Sequence, residues 1–140
     1  MKEIGIGIVG GGYMGKAHAV AMSAVGAVFN TNLRPRLEMV CGSSPKTSKK
    51  YCEAYGFKRA ANTWEELVKD KKVEAVIIAS PQSTHLKIAL MALSLGKPVF
   101  CEKPLGVSVE DGKKMVAAAE KSGAVNLSLI HISEPTRHLL

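Results

Sequence analysis

Apolar positions fall into two patterns along the chain. Residues 4–9, 37–41, 75–79 and 98–101 form short, nearly continuous runs rich in Val and Ile, with almost no polar alternation. Such runs suit strands buried on both faces of a parallel sheet. Between them, residues 13–25, 45–55, 64–69, 85–95 and 109–121 read as helices. Thr63 followed by Glu66 is a capping-box signature ahead of Trp64, and Ser108 followed by Asp111 is a weaker, acidic version. Gly26, Gly56, Gly96 and Gly123 each follow a helical run, where a left-handed residue can close the last turn. Residues 27–36, broken by Asn30, Asn32 and Pro35, are expected to form the longest loop. Helices strung between buried strands predict right-handed βαβ units, hence an α/β fold with a doubly wound parallel sheet.

Composition narrows the function classes. A length of 140 residues fits one domain, and a hydrophobic fraction of 46% excludes a disordered chain. No apolar run approaches the ~20 residues of a membrane helix, so no membrane partner is expected. Only Met1, Lys2 and Glu3 precede the first strand, which predicts no export signal and a cytoplasmic protein. Cys41, Cys52 and Cys101 form no CxxC pair and no zinc-type cluster; reduced thiols and no metal are expected. The net charge of +7 raises the question of nucleic acid. The lysines, however, sit mostly in 46–50, 69–72 and 113–114, which read as solvated helix faces, and with 5% aromatics nothing interleaves them for base stacking. A negatively charged cofactor suits this chain better.

The stretch after the first apolar run contains GxGxxG, formed by Gly10, Gly12 and Gly15. In a dinucleotide-binding, Rossmann-type unit, Gly10 permits the tight turn and Gly12 keeps a Cβ out of the pyrophosphate's path. Gly15 lets the helix pack closely on the strand. Unpaired amides at the helix start, near Tyr13 and Met14, would then face the phosphates. At the end of the second strand, a carboxylate would mark NAD by binding both ribose hydroxyls. None is there: Glu38 lies at the wrong end, and Gly42, Ser43, Ser44, Pro45 and Lys46 follow the strand. With no carboxylate to repel a 2′-phosphate, and with Ser43, Ser44 and Lys46 as donors, NADP(H) is favoured over NAD(H). A plain turn and helix cap is the alternative reading of these residues.

Two further segments carry a resemblance. They are ASPQSTH, from Ala79 through Ser80, Pro81 and Gln82 to His85, and FCEKPL, from Phe100 through Glu102 and Lys103 to Leu105. Together with Gly10–Gly15, in this order, they resemble the N-terminal domain of the glucose–fructose oxidoreductase/inositol dehydrogenase family, over residues 4 to about 125. Gln82 stands where that family usually has Asn, and Gly42 where it often has Asp. The resemblance implies an NAD(P)-dependent oxidoreductase acting on a sugar, cyclitol or related hydroxyl or carbonyl compound. It implies that Lys103 lies beside the nicotinamide and assists proton transfer, and that Ser80, Pro81, Gln82, His85 and Glu102 lie along the cofactor. An ammonium beside a developing alkoxide would stabilise its charge. His18, on the first helix, is expected to be packed rather than catalytic.

The family continues into a second, substrate-binding domain, absent from these 140 residues. The full-length protein is expected to be a homo-oligomer, whereas this chain alone is expected to bind dinucleotide without turnover. The expected organisation is a dinucleotide-binding domain over 1–126 and a foreign tail over 127–140. Within that tail, LSLIHISEPTR (residues 127–137) resembles the in-frame translation of an adapter used in preparing sequencing libraries. Two competing classes are a non-catalytic dinucleotide sensor and an S-adenosylmethionine-dependent methyltransferase. The Glu102-Lys103-Pro104 segment favours the enzyme over the sensor, and the missing acid after the second strand disfavours the methyltransferase.

Overall fold

The computed structural model describes residues 1–128. Six parallel strands form one sheet in the order β3-β2-β1-β4-β5-β6: β1 Lys2–Val9, β2 Leu33–Cys41, β3 Arg59–Ala60, β4 Ala75–Ile78, β5 Val99–Cys101 and β6 Asn126–Ser128. The helices are α1 Tyr13–Phe29, α2 Pro45–Tyr55, α3 Trp64–Lys69, α4 His85–Ser94 and α5 Val109–Ser122, with a 3-10 turn at Gln82–Thr84 leading into α4. The chain winds outward from β1 to β3, then crosses back to β4 and outward again to β6, as the apolar pattern predicts.

The two faces of the sheet explain why its strands show no polar alternation. Ile6, Ile8, Val40 and Ile77 pack on one face with Ala19 of α1 and with Phe57, which follows α2. Val9, Met39, Val76 and Ile78 pack on the other with Leu67 of α3, Ile88 of α4 and Met115 of α5. Successive strand residues point to opposite faces, and here both faces are covered, so both parities must be apolar.

Local structure departs from expectation in several places. The loop foreseen over 27–36 is mostly regular: α1 runs to Phe29, Asn30 ends it at φ 49° in the left-handed region, and β2 starts at Leu33. Gly26 does not close α1. It is buried within the helix, and a Cβ there would lie 2.4 Å from the Arg34 guanidinium, so the missing side chain makes room for a strand residue. Pro35 is tolerated inside β2 because β3 pairs only with Met39 and Val40, leaving the outer edge of the strand open at that point. The strand β3 has two residues, too few for any periodic signal. Thr63 caps α3 by accepting from the Glu66 amide, but the Glu66 carboxylate accepts from the Asn62 amide rather than completing the box at Thr63. Leu127 and Ser128 pair with β5, so the boundary expected after 126 falls inside a strand; the rest of the expected tail lies outside the described residues.

Candidate functional site

The order of the sheet reverses between β1 and β4, and a cleft of about 710 Å³ opens there, beyond the carboxyl ends of the strands. Its floor is Val9 with Gly10, Gly11 and Gly12. One wall is Cys41, Gly42, Ser43 and Tyr51; the opposite wall is Ala79, Ser80, Pro81, Thr84 and Ile88. Asn62, Thr63, Trp64 and Glu65 close the end toward β3.

Gly10 and Gly15 are required by the geometry of the turn, each for a different reason. Gly10 holds φ at +100°, and a Cβ on it would lie 2.5 Å from the Ala79 carbonyl. At Gly15 a Cβ would stand 2.0 Å from the Gly10 carbonyl oxygen, so α1 could not sit this close to the turn. Gly12 differs. Its φ is −71°, and nothing lies within 4 Å of where its Cβ would be. The protein does not need a glycine there for its own packing; the position opens onto the cleft floor.

The start of α1 is polarised for an anion. No side chain caps it and its first turn holds no acid. In contrast, Ser44, Thr63 and Ser108 cap α2, α3 and α5 by accepting from backbone amides. The exposed amide donors and the positive end of the α1 dipole therefore face the space above Gly12. This donor set, with room where a Cβ would intrude, fits a pyrophosphate.

The residues singled out after β2 separate. Ser43 is exposed and lines the cleft. The Ser44 hydroxyl is occupied as the α2 cap, accepting from the Thr47 amide at 3.2 Å, while Thr47 Oγ1 accepts from the Ser44 amide at 2.9 Å. Lys46 is exposed and is not among the lining residues. A Cβ on Gly42 would lie 2.5 Å from Thr47 Oγ1, inside this capping box.

On the opposite side, Ser80 and Pro81 line the cleft, whereas Gln82 and His85 tie two loops together. The Gln82 side-chain amide donates to the Gly106 carbonyl at 2.7 Å. His85 is 1% exposed; its Nε2 lies 2.8 Å from the Ser80 carbonyl oxygen and its Nδ1 3.0 Å from that of Pro104. It braces the Ser80 loop against the loop bearing Lys103, which follows β5. Glu102 is buried and hydrogen-bonded to His18 Nε2 at 2.7 Å, and the His18 ring packs edge-on against Phe100. Lys103 is exposed, with no hydrogen bond or ion pair among the described residues. Tyr13 and Met14 are exposed at the start of α1, 89% and 40%, and contribute no lining side chain; Gly15 is buried.

The end of the cleft toward β3 has no signature in the sequence. Trp64 and Glu65 were readable only as the first turn of a helix. Their place in the cleft depends on β3, which is too short to detect. Burial pushes the Cys41 thiol up; the Ser48 hydroxyl opposes this, and the carboxylates of Glu65 and Glu66 add to it.

Comparison with known proteins agrees with this fold. A family model described as "Oxidoreductase family, NAD-binding Rossmann fold" (GFO_IDH_MocA) matches residues 4–131. Levoglucosan dehydrogenase of Pseudarthrobacter phenanthrenivorans is 30% identical over 128 residues, covering 91% of this chain and 33% of the relative. Inositol 2-dehydrogenase of Salmonella typhimurium is 34% identical over 118 residues, covering 84% and 33%. A solved structure of levoglucosan dehydrogenase in complex with NADH and levoglucosan superposes with a TM-score of 0.88 at 29% identity, over 91% of this chain and 34% of that one. The chain spans about a third of the length of the curated relatives it matches.

Proposed function

The chain belongs to the GFO_IDH_MocA oxidoreductase family with an NAD-binding Rossmann fold, and on that premise we propose that it is the cofactor half of a dehydrogenase for a sugar, cyclitol or related hydroxyl or carbonyl compound. The observation that carries this reading is the cleft at the switch point, with an uncapped helix start above an unobstructed Gly12. The dinucleotide would lie with its pyrophosphate at Gly10–Gly12 and the start of α1, and its nicotinamide toward Ser80, Pro81 and the loop of Lys103.

Bound there, the nicotinamide would exchange a hydride with the carbinol or carbonyl carbon of the substrate. Lys103 Nζ would take the hydroxyl proton in the oxidation direction and return it in reduction, holding positive charge beside the oxygen as it develops. His85 and Gln82 would fix the spacing between the Lys103 loop and the wall at Ser80 and Pro81. This chain by itself is proposed to bind dinucleotide without turnover; its Lys103 faces solvent. The buried Cys41 and Cys101 and the half-buried Cys52, all unpaired thiols, support a cytoplasmic location. The complete protein is proposed to be a homo-oligomer.

For the cofactor we favour NADP(H) over NAD(H), on the absence of an acid at Gly42 and the exposed hydroxyl of Ser43 in the cleft wall. Ser44 and Lys46 support this less, one being a cap and the other lying off the cleft. Residues 127–140 are proposed to be foreign sequence following a native domain over 1–126; recovering the same codons from independent genomic DNA would overturn that division.

The functional reading is tested in two steps. Fluorescence titration of this chain with NADPH and NADH should show saturable binding. In the complete protein, Lys103→Ala should lower kcat by about 10²–10⁴ while cofactor affinity stays within a few-fold. Near-normal turnover would make Lys103 a structural residue.

A further inference from the structure

The strand order lays out the cleft as a ruler. Moving outward from β1, neighbouring strand ends follow at about 4.8 Å intervals: first the glycine turn, then Gly42 and Ser43 after β2, then Asn62–Glu65 after β3. An extended adenosine diphosphate half, anchored by its pyrophosphate over β1, places its ribose over the end of β2 and its base last, over the start of α3. Two side chains meet it there. Trp64 offers a flat apolar ring, held against α4 with Lys87 Nζ 5.6 Å from the ring centroid. Glu65 lines the cleft with a carboxylate that has no hydrogen bond or ion pair among the described residues, unlike its neighbour Glu66, which binds the Asn62 amide.

We propose that Glu65 is a specificity-determining residue that reads the purine, its carboxylate accepting from the exocyclic amine of adenine beside the Trp64 ring. This rests on the dinucleotide reading above and adds to it a basis for choosing the base. A carboxylate accepts and cannot donate, so opposite the exocyclic group at C6 it favours adenine, whose amine donates there. Hypoxanthine carries a carbonyl oxygen there, which the carboxylate repels. The wall formed by Gly42 and Ser43 stays free for the ribose substituent. The base and the 2′ position are thus read by different strands.

The test uses this chain, NADH and reduced nicotinamide hypoxanthine dinucleotide, with NADPH as a third probe. Wild type should bind NADH about tenfold or more tightly than the hypoxanthine analogue, the scale of one hydrogen bond to a charged acceptor. Glu65→Gln supplies both a donor and an acceptor and should shrink the difference to within about threefold; Glu65→Ala should shrink it too. An undiminished preference in both variants would overturn the assignment. So would a change in the NADPH to NADH ratio with the base preference intact, which would put Glu65 at the ribose. Failure of wild type to bind any of the three would instead overturn the dinucleotide reading itself, and this inference with it.

Discussion

Gly12 and Gly15 stand three residues apart in one motif, yet the structure assigns them opposite consequences. At Gly12 a side chain enters open space with an ordinary φ of −71°. The fold should therefore lose little in Gly12→Val, about 1 kcal/mol or less, since a poorer residue replaces glycine at the helix cap. For a chain of this size that is a fall in Tm of about 4 °C or less. The same side chain would occupy the space above the uncapped amides, where the pyrophosphate is proposed to sit. Losing even one or two charge-assisted hydrogen bonds, at about 1.5–3 kcal/mol each, weakens dinucleotide binding by at least tenfold. Gly15→Ala reverses the pattern. Its Cβ falls about 1.4 Å short of an ordinary contact with the Gly10 carbonyl oxygen, a backbone atom that no rotamer change can move. Forcing α1 away from the turn should cost about 1–3 kcal/mol, a fall of roughly 4–12 °C. Thermal unfolding by circular dichroism and NAD(P)H fluorescence titration on both variants separate the two effects. If Gly12→Val binds like wild type, the pyrophosphate does not sit above Gly12. If it unfolds as readily as Gly15→Ala, the space at Gly12 has been misjudged.

Cofactor preference should respond at Ser43 rather than Gly42. Ser43→Asp places a carboxylate in the cleft wall, where the Ser43 hydroxyl now lies 3.4 Å from Thr47 Oγ1, without the 2.5 Å clash that a Cβ on Gly42 would make, and should shift binding toward NADH by tenfold or more; an unchanged NADPH to NADH ratio in side-by-side titrations would remove Ser43 from the site. Stability at low pH should depend on Asp70, whose carboxyl is held at about 2, below its usual 3.8, mainly by a two-pronged pair with Arg59 at 2.7 Å. Because the folded-state value is depressed, this stabilisation is present above about pH 4 and lost as pH falls toward 2, and with Arg59 over a third exposed it amounts to about 1 kcal/mol. Urea titrations should show Asp70→Asn losing that amount at pH 7 and declining less steeply between pH 4 and 2. Burial pushes the Cys101 thiol up to about 12 and raises that of Cys41 as well. Mass spectrometry after iodoacetamide treatment at pH 8 should find both unmodified in the native protein and alkylated in urea, and fast native labelling of Cys101 would contradict its burial.

Much of the architecture follows from one-dimensional signals, because the forces behind them act within a strand or a turn. Burial on both faces removes polar alternation, so β1, β2, β4 and β5 announce a parallel sheet. The caps at Thr63 and Ser108 are satisfied within three residues, and Gly10 marks a turn whose φ of +100° suits glycine alone. Gly26 and Pro35, which read as breaks and lie inside α1 and β2, were less legible. There the deciding partner is a residue on another element, Arg34 across α1 in one case and the short reach of β3 in the other.

The tertiary structure alone decided which polar groups are available for chemistry. Glu102 and Lys103 are adjacent in sequence, yet Glu102 turns inward to His18, 84 positions away, and Lys103 turns outward. His85, the last residue of ASPQSTH, reads as lying along the cofactor, and the fold adds that both its ring nitrogens face backbone carbonyl oxygens, one from its own loop and one from the loop after β5. Ser43 and Ser44 look equivalent until α2 takes the second as its cap. Glu65 joins the cleft only because β3 lies outside β2. Strand order is set by the packing of the whole sheet, and local sequence carries no record of which loops that packing will bring face to face.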